Sequence, residues 1–140
     1  MGCDNQLVSM SFCSHPSRLK LLRCVLRDVA DMVGLNEEGS DAVVLAVNEA
    51  CMNIMQHAYA MRPDGQIDLA ILQEPDALVV QLRDYADCVD IEKISSRDLD
   101  AVRPGGLGVY LIACLMDECG FLEPPEDGGN LFQMKKRIKE

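Results

Sequence analysis

Tryptophan is absent, and aromatic residues make up only 4% of the 140-residue chain. A core built from this sequence must therefore rest on Leu, Val, Ile, Met and Ala. Positive charge is also scarce: 13 Lys and Arg stand against 23 Asp and Glu, a formal net charge of −10. That balance argues against a nucleic-acid or membrane surface as partner, since both are polyanions that would be repelled. No run approaches the roughly 18 apolar residues that span a bilayer. Met1 to Met10 lacks the basic region and apolar run of a signal peptide. Seven cysteines and two histidines contain no C-x-x-C pair, which argues against zinc. Free thiols in a reducing, cytoplasmic setting are the expectation.

What remains fits one globular domain over residues 1–140. The apolar fraction is 49% and the charged fraction 26%, ordinary values for a soluble fold, and the length supports one core without staples. Gln6 to Cys13 alternates as a strand, and Ser14-His15-Pro16-Ser17 ends it with a helix cap. From Ser17 to Val33, Leu19, Leu22, Leu26, Val29 and Val33 form one helical face, closed by Gly34. Asn36 caps a second, long helix from Glu37 to Tyr59, with Glu37 and Glu38 in its first turn. Gln66–Gln73 and Ala77–Arg83 predict a hairpin. Residues 84–104 predict a long, functional loop. Gly105 to Gly108 then opens a helix running from Val109 to about Glu118. Short strands follow at Cys119–Leu122 and Asn130–Ile138. The order is β-α-α-β-β-α-β-β, an α+β sandwich of helices on a mixed, mostly antiparallel sheet.

Three features carry chemistry. On the second helix Glu49, Asn53 and His57 recur every four residues, a polar stripe among Val43, Val44, Val47, Ala50, Ile54 and Ala58. By spacing alone this is equally a solvated face. Its chemistry suits magnesium, which takes oxygen ligands and shares the rest with water and phosphate. A carboxylate one turn before such a ligand can accept a proton from an attacking hydroxyl. His57 can reach a phosphate or be a buried, hydrogen-bonded structural residue. The strand Val79-Val80-Gln81-Leu82-Arg83 ends in Asp84, and a carboxylate accepts the adenine amino group while opposing the guanine carbonyl. Pro104-Gly105-Gly106-Leu107-Gly108 precedes a helix, where glycines admit phosphates to backbone N–H groups and the positive end of the helix dipole. It is neither a Walker A loop nor a dinucleotide fingerprint. Taken alone, it also reads as a glycine hinge before a helix.

Together and in this order the three resemble the nucleotide-binding boxes of the gyrase, histidine-kinase and MutL ATPase superfamily, the Bergerat fold. Within it the chain is similar to the stand-alone bacterial anti-sigma-factor serine-protein kinases, over nearly its whole length. The Glu-x-x-x-Asn-x-x-x-His-Ala-Tyr box, Glu49 to Tyr59, is the most specific match. The resemblance implies Glu49 as general base, Asn53 as Mg²⁺ ligand and Asp84 as adenine anchor. It implies ATP contacts at Asn53, His57, Asp84, Ala86, Arg103, Gly105, Gly106, Leu107, Gly108 and Asn130. The implied activity is transfer of the ATP γ-phosphoryl to a serine of a small antagonist protein, with sequestration of a sigma factor. A homodimer is also implied. The alternative is a catalytically weak or inactive ATP-binding-fold module that acts by binding alone.

Two departures bear on that reading. The family usually has glycine two residues after the adenine aspartate and often at the fourth, where this chain has Ala86 and Cys88. If residue 86 needs positive φ, alanine costs about 1 kcal/mol. Many such kinases carry Arg directly before Gly-x-Gly; here Gly105 holds that place, and the nearest arginine is Arg103. Finally, Lys20, Arg23 and Arg27 lie along the first helix. They read as a solvated face or as a docking ridge for an acidic partner such as a sigma factor or antagonist.

Overall fold

A computed structural model describes residues 5–86 and 104–138, with the backbone alone described at 104–109. Alternation of apolar and polar residues builds the strands β1 (Gln6–Cys13), β2 (Gln66–Glu74), β3 (Ala77–Asp84), β4 (Glu118–Phe121) and β5 (Asn130–Arg137). They form one five-stranded sheet in the order β1-β2-β3-β5-β4. Each pairing is antiparallel, where the sequence had allowed a mixed sheet. Two cross-strand rows, Met10–Leu69–Leu82–Phe132 and Val8–Ile71–Val80–Met134, line the inner face.

Helices α1 (Leu19–Val33), α2 (Glu37–Asn53) and α3 (Pro104–Leu115) share one core with that face. The predicted stripe of α1 is buried at Leu19, Leu22, Leu26 and Val29. From α2, Val43, Val44, Val47, Ala50 and Cys51 are buried against it. Core aromatics are confined to Tyr59 and Phe132, as the composition requires. Truncating a fully buried leucine such as Leu22 would cost about 2–5 kcal/mol.

Helix ends follow local chemistry. Gly34 closes α1 in the left-handed region at φ 93, which costs glycine little. The Asn36 side chain accepts from Gly39 N–H and starts α2, satisfying one of the open donors of a helix N-terminus. The cap expected around Ser14–Ser17 is supplied by His15, whose Nδ1 accepts from Ser17 N–H before a 3₁₀ turn at Pro16–Arg18.

Three boundaries differ from the sequence reading. The second helix does not continue as α-helix to Tyr59: Ile54–Ala58 is a turn of π-helix. The third helix begins at Pro104 rather than Val109, because proline fits a first helical position where no N–H partner exists, so the glycine box lies within its first turns. It ends at Leu115 rather than near Glu118, because Asp117 N–H already donates to Lys135 O on β5. Cys88, Arg103 and most of the expected loop, residues 87–103, lie outside the described residues.

Candidate nucleotide site

The sheet order places β5 beside β3, and the register sets Asn130 directly opposite Asp84. Both are 4% exposed. A buried carboxylate is costly unless hydrogen-bonded, and Asp84 has its donors: Asn130 Nδ2 at 2.9 Å and Ala86 N–H at 3.0 Å. Both fall on Oδ1. Among the described residues no hydrogen bond falls on the second oxygen. Asn130, expected to contact ATP, meets Asp84.

Ala86 keeps an ordinary backbone; among the described residues, the non-glycine positions with positive φ are Ala60 and Met61. Its N–H closes a short Asp-type turn on the Asp84 side chain, so the missing glycine brings no strain here. The close approach is made instead by Gly129, with φ +87: a Cβ there would lie 2.1 Å from the Asp84 carbonyl oxygen.

Along α2, Glu49 and Asn53 are half-buried, one turn apart on the same side of the helix. His57 is exposed, so the reading of it as a buried structural histidine does not hold. Between Asn53 and His57 the helix widens into the π turn, with Tyr59 N–H donating to Ile54 O at 3.1 Å. Turns of this kind are often found at functional sites. Two successive left-handed residues follow, Ala60 at φ 50 and Met61 at φ 63. The strained turn is held by its surroundings. Ser14, fully buried, donates to Arg62 O and accepts from Gly65 N–H, while Met61 N–H donates to Met55 O.

Tyr59 ends the box and is 6% exposed. Its hydroxyl donates to Gln66 O at 2.6 Å and accepts from Tyr85 N–H at 2.7 Å. Burial raises its pKa first, and the nearby Asp84 charge adds to this against the hydrogen bond from the Tyr85 amide. The Glu49–Tyr59 box therefore ends on the residue that follows the buried aspartate. Tyr59 and Gly129 carried no predicted role, and Ser14 was expected only in a helix cap. Only Tyr59 had a signal, as the last residue of the box.

The glycine box belongs to α3, and α3 packs against α2. Gly105, Gly106 and Gly108 lie in the N-terminal turns, where free N–H groups and the dipole favour an anion. The Leu107 side chain is outside the described residues. Asp84 thus bonds to Asn130, the residue after it bonds to the end of the Glu49–Tyr59 box, and the helix bearing the glycines packs on the helix bearing Glu49 and Asn53.

The donor set suits a magnesium nucleotide. Asn53 offers a carboxamide oxygen, Glu49 a carboxylate one turn away, and Asp84 a second oxygen with no hydrogen bond among the described residues. Among the described residues no group of three or more His, Cys, Asp or Glu side chains could hold a metal. Magnesium commonly shares its shell with phosphate and water, which a single carboxamide oxygen would suit.

Outside this site, Arg83 pairs with Asp127 at 2.6 Å and stacks 4.5 Å from the Tyr85 ring centroid. The Tyr85 hydroxyl donates to Asp68, which also accepts from Ser11 and Gln66. On α1, Lys20, Arg23 and Arg27 are exposed. Arg23 donates to Asn48 at 2.9 Å, and Arg27 pairs with Asp41 at 2.8 Å, both side chains more than half exposed. No described helix is long and apolar enough to cross a membrane.

Residues 12–136 match the family model described as the histidine kinase-like ATPase domain. The chain is 30% identical over 126 residues to the serine-protein kinase RsbW of Bacillus velezensis, covering 84% of this chain and 79% of that one. It is 27% identical to RsbW of Oceanobacillus iheyensis over 141 aligned positions, 95% of this chain and 87% of the other. Among solved structures, the SiaB-SiaC complex from Pseudomonas aeruginosa matches at TM-score 0.65 and 16% identity, over 96% of this chain and 90% of that one. The RsbU and RsbW domains of Rv1364c from Mycobacterium tuberculosis match at TM-score 0.62 and 14% identity. There the likeness covers 96% of this chain and 33% of the longer one. At these identities the two structures speak for the fold.

Proposed function

Because the chain belongs to the histidine kinase-like ATPase domain family, in the company of the RsbW serine-protein kinases, we propose that it is an ATP-dependent serine kinase and anti-sigma factor. It acts in the cytoplasm as a homodimer, phosphorylating a small antagonist on serine and holding a sigma factor when that antagonist is unavailable. The observation that carries the nucleotide reading is Asp84: buried, doubly hydrogen-bonded on Oδ1, and joined through Tyr85 to the end of the Glu49–Tyr59 box.

In this reading the free oxygen of Asp84 accepts from the adenine 6-amino group, which selects adenine over guanine. The first turn of α3 offers N–H groups to the phosphates. Asn53 would hold Mg²⁺, which when bound would neutralise charge on the phosphates. Glu49 accepts the proton of the antagonist serine as its hydroxyl oxygen bonds to the γ-phosphorus. The bond from that phosphorus to the β–γ bridging oxygen breaks, and ADP leaves. Positioning and charge neutralisation supply most of the rate in such transfers.

The ridge of Lys20, Arg23 and Arg27 is the docking face for an acidic surface on either partner. Its charge opposes that of the rest of the molecule, so it steers encounter. Arg23 and Arg27 are engaged by Asn48 and Asp41 on α2, which orients both guanidinium groups before a partner arrives.

The test is incubation with γ-labelled ATP, magnesium and the candidate antagonist from the same genome. Label on an antagonist serine supports the kinase. Tight association without label would leave a module that regulates by binding alone.

A further inference from the structure

We infer that Tyr59 is a positioning residue for nucleotide selection: its hydroxyl sets the backbone that aims the Asp84 carboxylate at the purine amino group. The inference rests on the reading of Asp84 as adenine anchor.

The peptide between Asp84 and Tyr85 is fixed from two sides. From the core side, Tyr59 Oη accepts from Tyr85 N–H at 2.7 Å and donates to Gln66 O at 2.6 Å. From the outer face, the Tyr85 ring is stacked by Arg83 and its hydroxyl rests on Asp68. The hydroxyl of Tyr59 must therefore donate and accept at once, which only the neutral phenol can do. Burial, the largest influence, acts to keep it neutral, and so does the Asp84 charge.

The rest of the turn is built to hold that ring. Gly65 lies beneath it so closely that a Cβ would fall 2.6 Å from three ring atoms. The π turn ends at Tyr59, and the two left-handed residues after it turn the chain back toward Gly65 and Ser14. Strain of this kind persists where the surroundings over-determine it, and it concentrates at functional sites. The same helix carries Glu49 and Asn53, so Tyr59 ties the phosphate-side helix to the purine-side strand through a single hydroxyl. Its loss frees the Tyr85 amide and the Asp84 backbone, while Ala86 and Asn130 still hold Oδ1.

The experiment compares wild-type protein with Tyr59→Phe, using calorimetric titration with ATP and with inosine triphosphate, which bears a carbonyl where adenine has its amino group. Wild type is expected to prefer ATP. The variant keeps the ring over Gly65 and is expected to lose ATP affinity about tenfold, the scale of one well-placed hydrogen bond. Its affinity for inosine triphosphate and its kcat at saturating ATP should stay within about twofold. Faster exchange of the Tyr85 amide in the variant, with a cooperative melt retained, would tie the loss to this contact. Equal weakening of both nucleotides, or no weakening, would overturn the inference. Failure of the wild type itself to discriminate between them would instead overturn the role of Asp84.

Discussion

Asp84 and Asn130 face each other across the neighbouring strands β3 and β5, and the Asn130 carboxamide donates to one oxygen of the buried Asp84 carboxylate at 2.9 Å. The pairing depends on β5 returning beside β3, which brings together residues 46 positions apart. It gives the carboxylate one satisfied oxygen and, among the described residues, one without a hydrogen bond.

Asp84→Asn should reverse the preference at the second oxygen. A carboxamide can keep an oxygen toward Ala86 N–H and Asn130, but it then turns an NH₂ toward the base. That NH₂ opposes the adenine amino group and suits a carbonyl. We expect ATP affinity to fall about 10–100-fold, with a relative gain for inosine triphosphate and an unchanged melting temperature. Competitive titration of the two nucleotides measures it.

Glu49→Ala separates binding from chemistry. The side chain is half-buried one turn from Asn53 and has no role in holding the base. ATP affinity should change by less than about threefold, while phosphoryl transfer slows by about 10²–10⁴. Single-turnover transfer from labelled ATP reads the rate, and an unaltered rate would remove Glu49 as general base.

Gly129→Ala tests the close approach behind Asp84. The residue combines φ +87 with a Cβ position 2.1 Å from the Asp84 carbonyl oxygen. Left-handed strain and overpacking together should cost on the order of 3 kcal/mol, roughly a 10 °C fall in Tm. Gly34→Ala shares the positive φ but has open space around its Cβ. It should cost only about 1–2 kcal/mol. Denaturant melts of the two variants give the difference.

Acid should loosen the contacts that Asp68 makes with Tyr85, Ser11 and Gln66. Burial acts to raise the Asp68 pKa, but the hydrogen bonds from Ser11, Tyr85 and Gln66 and the Arg83 charge outweigh it, so the carboxyl titrates below its usual value. A depressed folded pKa gives stability that is full above the unfolded value, about 3.9, and lost as pH falls through the folded one. Asp68→Asn should therefore be less stable than wild type at pH 7. The gap should narrow below about pH 4, as denaturant melts across that range would show.

Much of this architecture was readable from the chain. Gly34 and Asn36 announce helix ends by local chemistry that needs no partner, and Leu19, Leu22, Leu26 and Val29 announce a buried face by their period. The β strands followed from alternation, and the Glu49–Tyr59 box marked the helix end that meets the chain just after Asp84. The π turn was not legible, because the apolar pattern through Val47, Ala50 and Ile54 runs on toward Ala58 as ordinary α-helix would. The roles of Ser14, Tyr59 and Gly129 were hidden for another reason. Each acts through a partner distant in sequence, Arg62 and Gly65, Tyr85, and Asp84 respectively, and local propensity holds no information about those contacts. The worry over Ala86 arose from the same blindness. Its position asks for an N–H aimed at Asp84 rather than for a left-handed backbone.

The most direct test of the account is a calorimetric titration of the wild-type protein and of Asn53→Ala with ATP, each with and without magnesium. If Asn53, Asp84 and the α3 N-terminus bind one nucleotide together, the wild type shows saturable, magnesium-dependent binding. The variant should bind more weakly and with the same affinity in both conditions. No heat up to millimolar nucleotide, or identical magnesium dependence in the variant, would contradict it.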